Sequence, residues 1–286
     1  FGLKAVGCAS TGNLAAATAA YAAKAGLRCY IFIPKGVEPE KIGHALIYSP
    51  TIIEVNGSYD TANRIAAQAA EAYDIGVVNI NLRTYYVEGS KTLGFEIAEQ
   101  LGWQVPDHIV TPVGSGAMLH AISKGLDELQ QIGLIKSSKV KFTAAQAKGC
   151  APIVEAFRKG SDTIEPVEHP ETLAKSLAIG EPGDGVYVVR KLRESGGYAE
   201  DISDLEIVEG IKLLAKTEGI FSEPAGGVVI GALKRLVEDG KVDADETIVC
   251  LITGSGLKAT DSLTPYLPQP LNAEPDLEQL DELIAR

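Results

Sequence analysis

The run His108-Ile109-Val110-Thr111-Pro112-Val113-Gly114-Ser115-Gly116-Ala117-Met118 decides the fold. His108–Val113 is a strand-like apolar run, and the pattern turns helical after Gly116 and stays so to about Gln131. A strand that passes through a tight small-residue turn into a helix opens a βαβ unit. Free amides and the helix dipole at such a turn suit a phosphate dianion. The bland alternative is a glycine turn that serves only close helix–sheet packing. No Gly-Lys-Ser/Thr follows, so the turn is not a Walker loop.

The same alternation extends in both directions. Upstream, Lys4–Ala9, Arg28–Ile33, Thr51–Val55 and Val77–Ile80 read as strands. A small-residue helix spans about Asn13–Ala25 and stops at Gly26. A second helix places Ala62, Ile65, Ala66, Ala69 and Tyr73 on one stripe. A third, from about Glu88 to Gly102, places Leu93, Ile97 and Leu101 on one face. Downstream, Lys139–Ala145 and a buried run at Thr247–Ile252 read as strands, and Ser203-Asp204-Leu205-Glu206 is a capping box. Strands separated by helices of this length imply parallel α/β sheets. The expected division is a smaller unit at residues 1–87, a larger one at 88–265 and an acidic tail at 266–286. In that tail Pro275 opens a short amphipathic helix with Leu277, Leu280 and Ile284.

Ligands of parallel sheets bind where strands end and helices begin. Two further junctions have that character. Cys8-Ala9-Ser10-Thr11-Gly12-Asn13 leads straight into a helix, where amides and hydroxyls suit a carboxylate or phosphate; N-capping by Ser10 or Thr11 is the alternative. Ile252-Thr253-Gly254-Ser255-Gly256-Leu257-Lys258-Ala259 matches Gly-x-Gly-x-x-Ala, yet only a proline-bearing tail follows, which argues against a dinucleotide site. No Gly-x-Ser-x-Gly elbow supports a serine hydrolase.

Composition narrows the class. The 286 residues are 45% hydrophobic and 22% charged, which suits a globular chain with a sizeable core. Net charge is −12 without a basic block, so neither nucleic acid nor an anionic membrane surface is an expected partner. The four cysteines form no Cys-x-x-Cys pair and read as buried reduced thiols; the four histidines lack metal-ligand spacing, so no metal is expected. No apolar run approaches ~18 residues and no signal peptide is visible, which points to the cytoplasm.

Taken together, the loops resemble one family. Ala9-Ser10-Thr11-Gly12-Asn13, Glu88-Gly89-Ser90-Lys91-Thr92, Pro112-Val113-Gly114, Glu223-Pro224-Ala225 and Thr253-Gly254-Ser255-Gly256-Leu257-Lys258 stand in the order seen in the threonine synthases, fold type II enzymes dependent on pyridoxal 5′-phosphate. The resemblance covers about Phe1–Asp261. It implies two parallel-sheet α/β domains with a cofactor cleft between them, and conversion of O-phospho-L-homoserine and water to L-threonine and phosphate. The alternatives are a threonine dehydratase or related β-replacement enzyme, or a non-catalytic paralogue that binds a phosphorylated ligand.

The resemblance also implies roles. Asn13 matches the asparagine on the cofactor's ring hydroxyl, Gly114, Ser115, Gly116, Ala117 and Met118 the phosphate cradle, and Thr253 the hydroxyl at the pyridine nitrogen. Ser10 and Thr11 match the loop that receives the substrate carboxylate. Arg83 or Lys91 could take the substrate phosphate. The pattern departs in places: Tyr86 stands where the family's arginine is usual, and Ser115, Ala117, Met118, Ser255 and Ala259 replace common family residues. The family's Schiff-base lysine lies in a Ser-x-Lys-Asp segment that does not occur here; it is expected upstream of Phe1, the chain being read as N-terminally incomplete. A homodimer acting on a small amino-acid substrate is the implied assembly.

Overall fold

Apolar strands flanked by alanine-rich helices build two sheets in the computed structural model, which describes residues 2–37, 39–57 and 59–272. The first sheet holds β1 (Ala5–Ala9), β2 (Arg28–Pro34), β3 (Thr51–Val55) and β4 (Gly76–Val77) in the order β3-β2-β1-β4. The second holds β5 (His108–Pro112), β6 (Lys141–Ala147), β7 (Tyr198–Ile202) and β8 (Ile248–Cys250) in the order β7-β6-β5-β8. Every pairing within the two sheets is parallel. The α/β expectation therefore holds.

Helices fill the connections. They are α1 (Asn13–Ala25), α2 (Pro39–Leu46) and α3 (Tyr59–Tyr73) around the first sheet, then α4 (Arg83–Ser90) and α5 (Thr92–Gln100). Around the second sheet lie α6 (Ala117–Gln131), α7 (Pro152–Arg158), α8 (Gly185–Ser195), α9 (Asp204–Glu218) and α10 (Pro224–Glu238), with α11 (Thr260–Leu263) after it. Each sheet is buried on both faces. In the second, Ile109 and Phe142 face one apolar layer while Val110 and Ala145 face the other. In the first, Cys8 and Ile31 lie in one layer, Ala9 and Phe32 in the opposite one. The expected unit boundary after residue 87 falls inside α4.

Local chemistry sets the element ends. Gly26 closes α1 at φ 68, a left-handed conformation that costs glycine little. The Ser203–Glu206 capping box forms as expected, and Arg235 of α10 clamps the same Glu206 carboxylate with Nη2 at 2.7 and 2.8 Å. Burial acts to raise the Glu206 carboxyl, but the bonds from Ser203 and Arg235 outweigh it and hold the group below its ordinary value. Cys8, Cys29 and Cys150 are buried and Cys250 half-buried, all as free thiols.

Four readings need correction. The helix expected from Glu88 starts at Arg83 and breaks at Lys91 into α4 and α5. Its buried residues are Gly94 and Ala98, not Leu93, which is exposed. The reason is close approach: a Cβ on Gly94 would lie 2.9 Å from the Ile122 carbonyl of α6, so small residues make that seam. The strand read at Val77–Ile80 is only β4, and turns follow it. The final strand shrinks to β8, half-buried because it forms the edge of its sheet beside β5. Finally, β6 runs two residues further than read, to Ala147. The tail helix expected from Pro275 lies outside the described residues.

Candidate active site

Strand order fixes where a ligand sits. In each sheet the chain returns to the far side of its first strand, so β1/β4 and β5/β8 are switch points, whose carboxyl ends open a crevice. Ser10–Asn13 follow β1, Gly114–Met118 follow β5 and Thr253 follows β8. The three chemistry-bearing loops thus all leave strands at their carboxyl ends.

The β5 loop is shaped for an anion. Gly116 caps α6 at φ 94 and ψ −14, with no side-chain cap. Among the described residues, no group accepts a hydrogen bond from the amides of Gly114, Ser115, Gly116 or Met118. A buried Gln146 braces the strand behind it, donating to Val113 O at 3.3 Å and accepting from the Ile153 and Val154 amides at 2.9 and 3.1 Å. The loop is covered by the segment before α8, where Asp184 donates its amide to Ser115 O at 2.9 Å. A Cβ on Gly116 would stand 2.9 Å from Val188 Cγ2 and 3.0 Å from the Asp184 carbonyl carbon. Free amides, a left-handed glycine and the positive end of a 15-residue helix fit a phosphate group.

The β1 loop is a second donor set. Ser10 Oγ accepts from the Gly12 amide at 3.2 Å, and Gly12 caps α1 without a side-chain bond. The hydroxyls of Ser10 and Thr11 therefore do not cap the helix. Asn79, just past β4, donates to Ala9 O at 3.4 Å and accepts from Ala9 N at 3.2 Å, while His44 Nε2 sits 3.2 Å from Gly12 O. These contacts hold the loop from both sides.

The halves meet at Glu223, which precedes α10. Its Oε1 accepts from Asn13 Nδ2 at 3.5 Å and from Thr253 Oγ1 at 3.4 Å. Its Oε2 lies 3.8 Å from Lys258 Nζ, and Lys258 donates to Asn13 Oδ1. Asn13 and Thr253 are thus brought together by a residue the sequence reading quoted only as part of a motif. Glu223, Lys258, Asp184 and Asn79 are the neighbours it missed. A sequence signal existed only for the first two, in their motifs.

The two proposed phosphate ligands diverge. Arg83 pairs with Asp184, the residue that lies over the β5 loop. Tyr86 stands one helical turn beyond Arg83 on α4; burial raises its phenol above the ordinary value, with the Arg83 guanidinium opposing. Lys91 points elsewhere: its ammonium binds Glu88 at 2.5 Å and Glu128 at 2.6 Å, both bonds raising its pKa. It joins Lys124, Glu88 and Glu128 in a four-charge cluster on the α4–α6 seam. Among the described residues no cluster of metal-ligating side chains occurs, and no helix is long and apolar enough to cross a membrane.

Comparisons with known proteins agree with this geometry. Residues 2–254 match the family described as pyridoxal-phosphate dependent enzyme. The chain is 43% identical over 284 residues to a Methanocaldococcus jannaschii protein named threonine synthase, covering 99% of this chain and 70% of that one. A Synechocystis protein of the same name is 38% identical, covering 97% and 70%. Among solved structures, maize serine racemase aligns with TM-score 0.73 and 21% identity over 92% of this chain and 77% of its own. The processed form of threonine deaminase isoform 2 from Solanum lycopersicum aligns with TM-score 0.75 and 21% identity, covering 91% and 73%. At that identity these structures speak for the fold.

Proposed function

The chain belongs to the pyridoxal-phosphate-dependent enzymes, and we propose that it acts as a threonine synthase, converting O-phospho-L-homoserine and water to L-threonine and phosphate. The observation that carries the reading is the pair of donor loops at the two switch points, one suited to a phosphate and one to a carboxylate. When bound, pyridoxal 5′-phosphate supplies an electron sink for bond making and breaking along the carbon chain of an amino acid.

The chain's residues supply the rest. The free amides of Gly114, Ser115, Gly116 and Met118 and the α6 N-terminus would hold the cofactor's phosphate. Asn13 and Thr253 would offer their polar side chains to its ring. Ser10, Thr11 and the α1 N-terminus receive the substrate's carboxylate and fix its orientation. Arg83 serves the substrate phosphate in preference to Lys91. One of its five donors goes to Asp184, which leaves the others for an anion. The four thiols, all free, suit a reducing cytoplasm. The unit division of 1–87 and 88–265 and a homodimeric assembly complete the proposal, to be checked by limited proteolysis and by sedimentation.

Assay of the native enzyme decides between reactions: phosphate released from O-phospho-L-homoserine with L-threonine formed supports the reading. Ammonia released from L-threonine, without phosphate release, refutes it in favour of a dehydratase.

A further inference from the structure

Asp184 touches both the β5 loop and Arg83, but no role above is assigned to its carboxylate. Its backbone amide donates to Ser115 O at 2.9 Å, which fixes it against the β5 loop. It also stands at the N-cap of α8, where an aspartate ordinarily accepts from the first-turn amides. Here its side chain makes no such bond. The carboxylate, 10% exposed, turns instead to Arg83 at the start of α4. The pair therefore reaches from the segment after β4 of the first sheet to the segment before α8 that covers the β5 loop of the second. A Cβ on Gly183 would lie 3.1 Å from Arg83 Nη2, so glycine there lets the guanidinium lie close against the backbone. Burial keeps the nearby His120 imidazole below its ordinary value, with the Asp184 charge opposing. At neutral pH that ring is uncharged and does not compete with Arg83 for the carboxylate.

We propose that Asp184 is a positioning residue that holds the Arg83 guanidinium ready for the substrate's phosphate, an inference that rests on the assignment of Arg83 to that phosphate. Among the described residues Asp184 is the one side chain bonded to Arg83. Arg83 is 39% exposed, and a long side chain left unpaired there must give up its rotamer freedom when an anion arrives. The bond from Nη2 to Asp184 fixes the guanidinium plane beforehand, so the ordering cost falls on folding and not on binding. It takes one of five N–H donors. The other four keep the planar fork that suits the oxygens of a phosphate. The carboxylate also repels an incoming phosphate, but water screens that repulsion at a half-exposed position, whereas the fork bonds act at contact. Positioning therefore outweighs repulsion, and removing the carboxylate weakens binding.

The test is initial-rate kinetics with O-phospho-L-homoserine on the native enzyme loaded with pyridoxal 5′-phosphate, followed by L-threonine formation. Wild type is compared with Asp184→Asn, Asp184→Ala, Arg83→Ala and the double variant of Asp184→Ala with Arg83→Ala. Asp184→Asn keeps the shape of the side chain, and circular dichroism checks the fold of each. Inorganic phosphate, used as a competitive inhibitor, probes the anion site without turnover. Each Asp184 variant should raise both KM and the phosphate inhibition constant by about threefold to tenfold, the scale of ordering one long side chain, while kcat falls by a smaller factor. In the Arg83→Ala background the loss of Asp184 should add less than about twofold, because its effect runs through Arg83. Cofactor affinity should stay within about twofold, since the amide given to Ser115 survives both substitutions. An unchanged or lower KM in the Asp184 variants overturns the inference, because repulsion then outweighs positioning. An equal effect in both backgrounds, or a matching loss of cofactor affinity, also overturns it and marks Asp184 as a support of the β5 loop alone. Wild-type KM in Arg83→Ala, or no L-threonine formed by the wild type, refutes the reading on which the inference rests, and the inference with it.

Discussion

Replacing Gly116 by alanine separates a loop built to hold an anion from a turn that merely connects. At φ 94 an alanine adopts a left-handed backbone at about 1–2 kcal/mol. Its Cβ would also meet Val188 Cγ2 at 2.9 Å and the carbonyl carbon and oxygen of Asp184 at 3.0 and 3.1 Å. Backbone cannot swing away as a side chain can, so overpacking adds about 1–3 kcal/mol. The sum, about 2–5 kcal/mol, lowers the melting temperature by roughly 4–20 °C at the 2–4 °C per kcal/mol of domains of 150–250 residues. Gly133, just past the other end of α6, is the matched control. Its φ is 79 and no atom lies within 4 Å of its missing Cβ, so alanine there carries the strain alone. Thermal unfolding of both variants measures the difference. Titration with pyridoxal 5′-phosphate then asks whether the relief of the clash displaces the free amides: Gly116→Ala should bind at least about tenfold more weakly, with Gly133→Ala unchanged. Equal stability losses and wild-type cofactor affinity in both variants would refute the argument that this turn is shaped by its ligand.

Other outcomes test separate parts of the structure. Arg83→Ala should raise KM for O-phospho-L-homoserine by about tenfold or more, while Lys91→Ala should leave it unchanged, in initial-rate kinetics. Burial pushes the thiol of Cys8 up to about 12 and those of Cys29 and Cys250 up to about 11. A thiol reagent at pH 8 should therefore label these three only after denaturation. Burial also lowers His108 from its ordinary value near 6.5, with Glu246 opposing. A group lowered on folding contributes stability that is present above the unfolded pKa and lost as pH falls below it. The fall in unfolding free energy between pH 7.5 and 5.5 should be smaller in His108→Gln than in the wild type, by denaturant titration.

Sequence legibility followed the range of the forces involved. The ends of α1, β3 and α6 were readable because Gly26, the β-branched run at residues 51–55 and Gly116 act within a turn or a strand. The α4–α5 seam was misread because Gly94 and Ala98 bury by letting α6 approach, and size ranking favours Leu93. At β8 an apolar run suggested a central strand, but edge position depends on neighbours that arrive from elsewhere in the chain. Helix α8 and strand β7 went unread. The loops of the candidate site were visible because one short segment carries turn, amides and helix start together. The Arg83–Asp184 pair joins residues 101 apart, and although Arg83 was singled out, no local signal marks Asp184 as its partner.

The link from Asn13 to Glu223 spans 210 positions of sequence, and that from Lys258 to Asn13 spans 245. The pairings inside the two sheets span shorter stretches, from Tyr30↔Thr51 to His108↔Ile248, so the bonds between the sheets carry the larger loop-closure cost, by a margin that grows only with the logarithm of length. The crevice between the sheets therefore depends on contacts between distant parts of the chain. A ligand that binds only the assembled crevice stabilises it in proportion to the logarithm of its concentration over its dissociation constant. A cofactor bound there is in that sense part of the stability of the fold, because it holds together segments that the chain joins only at long range.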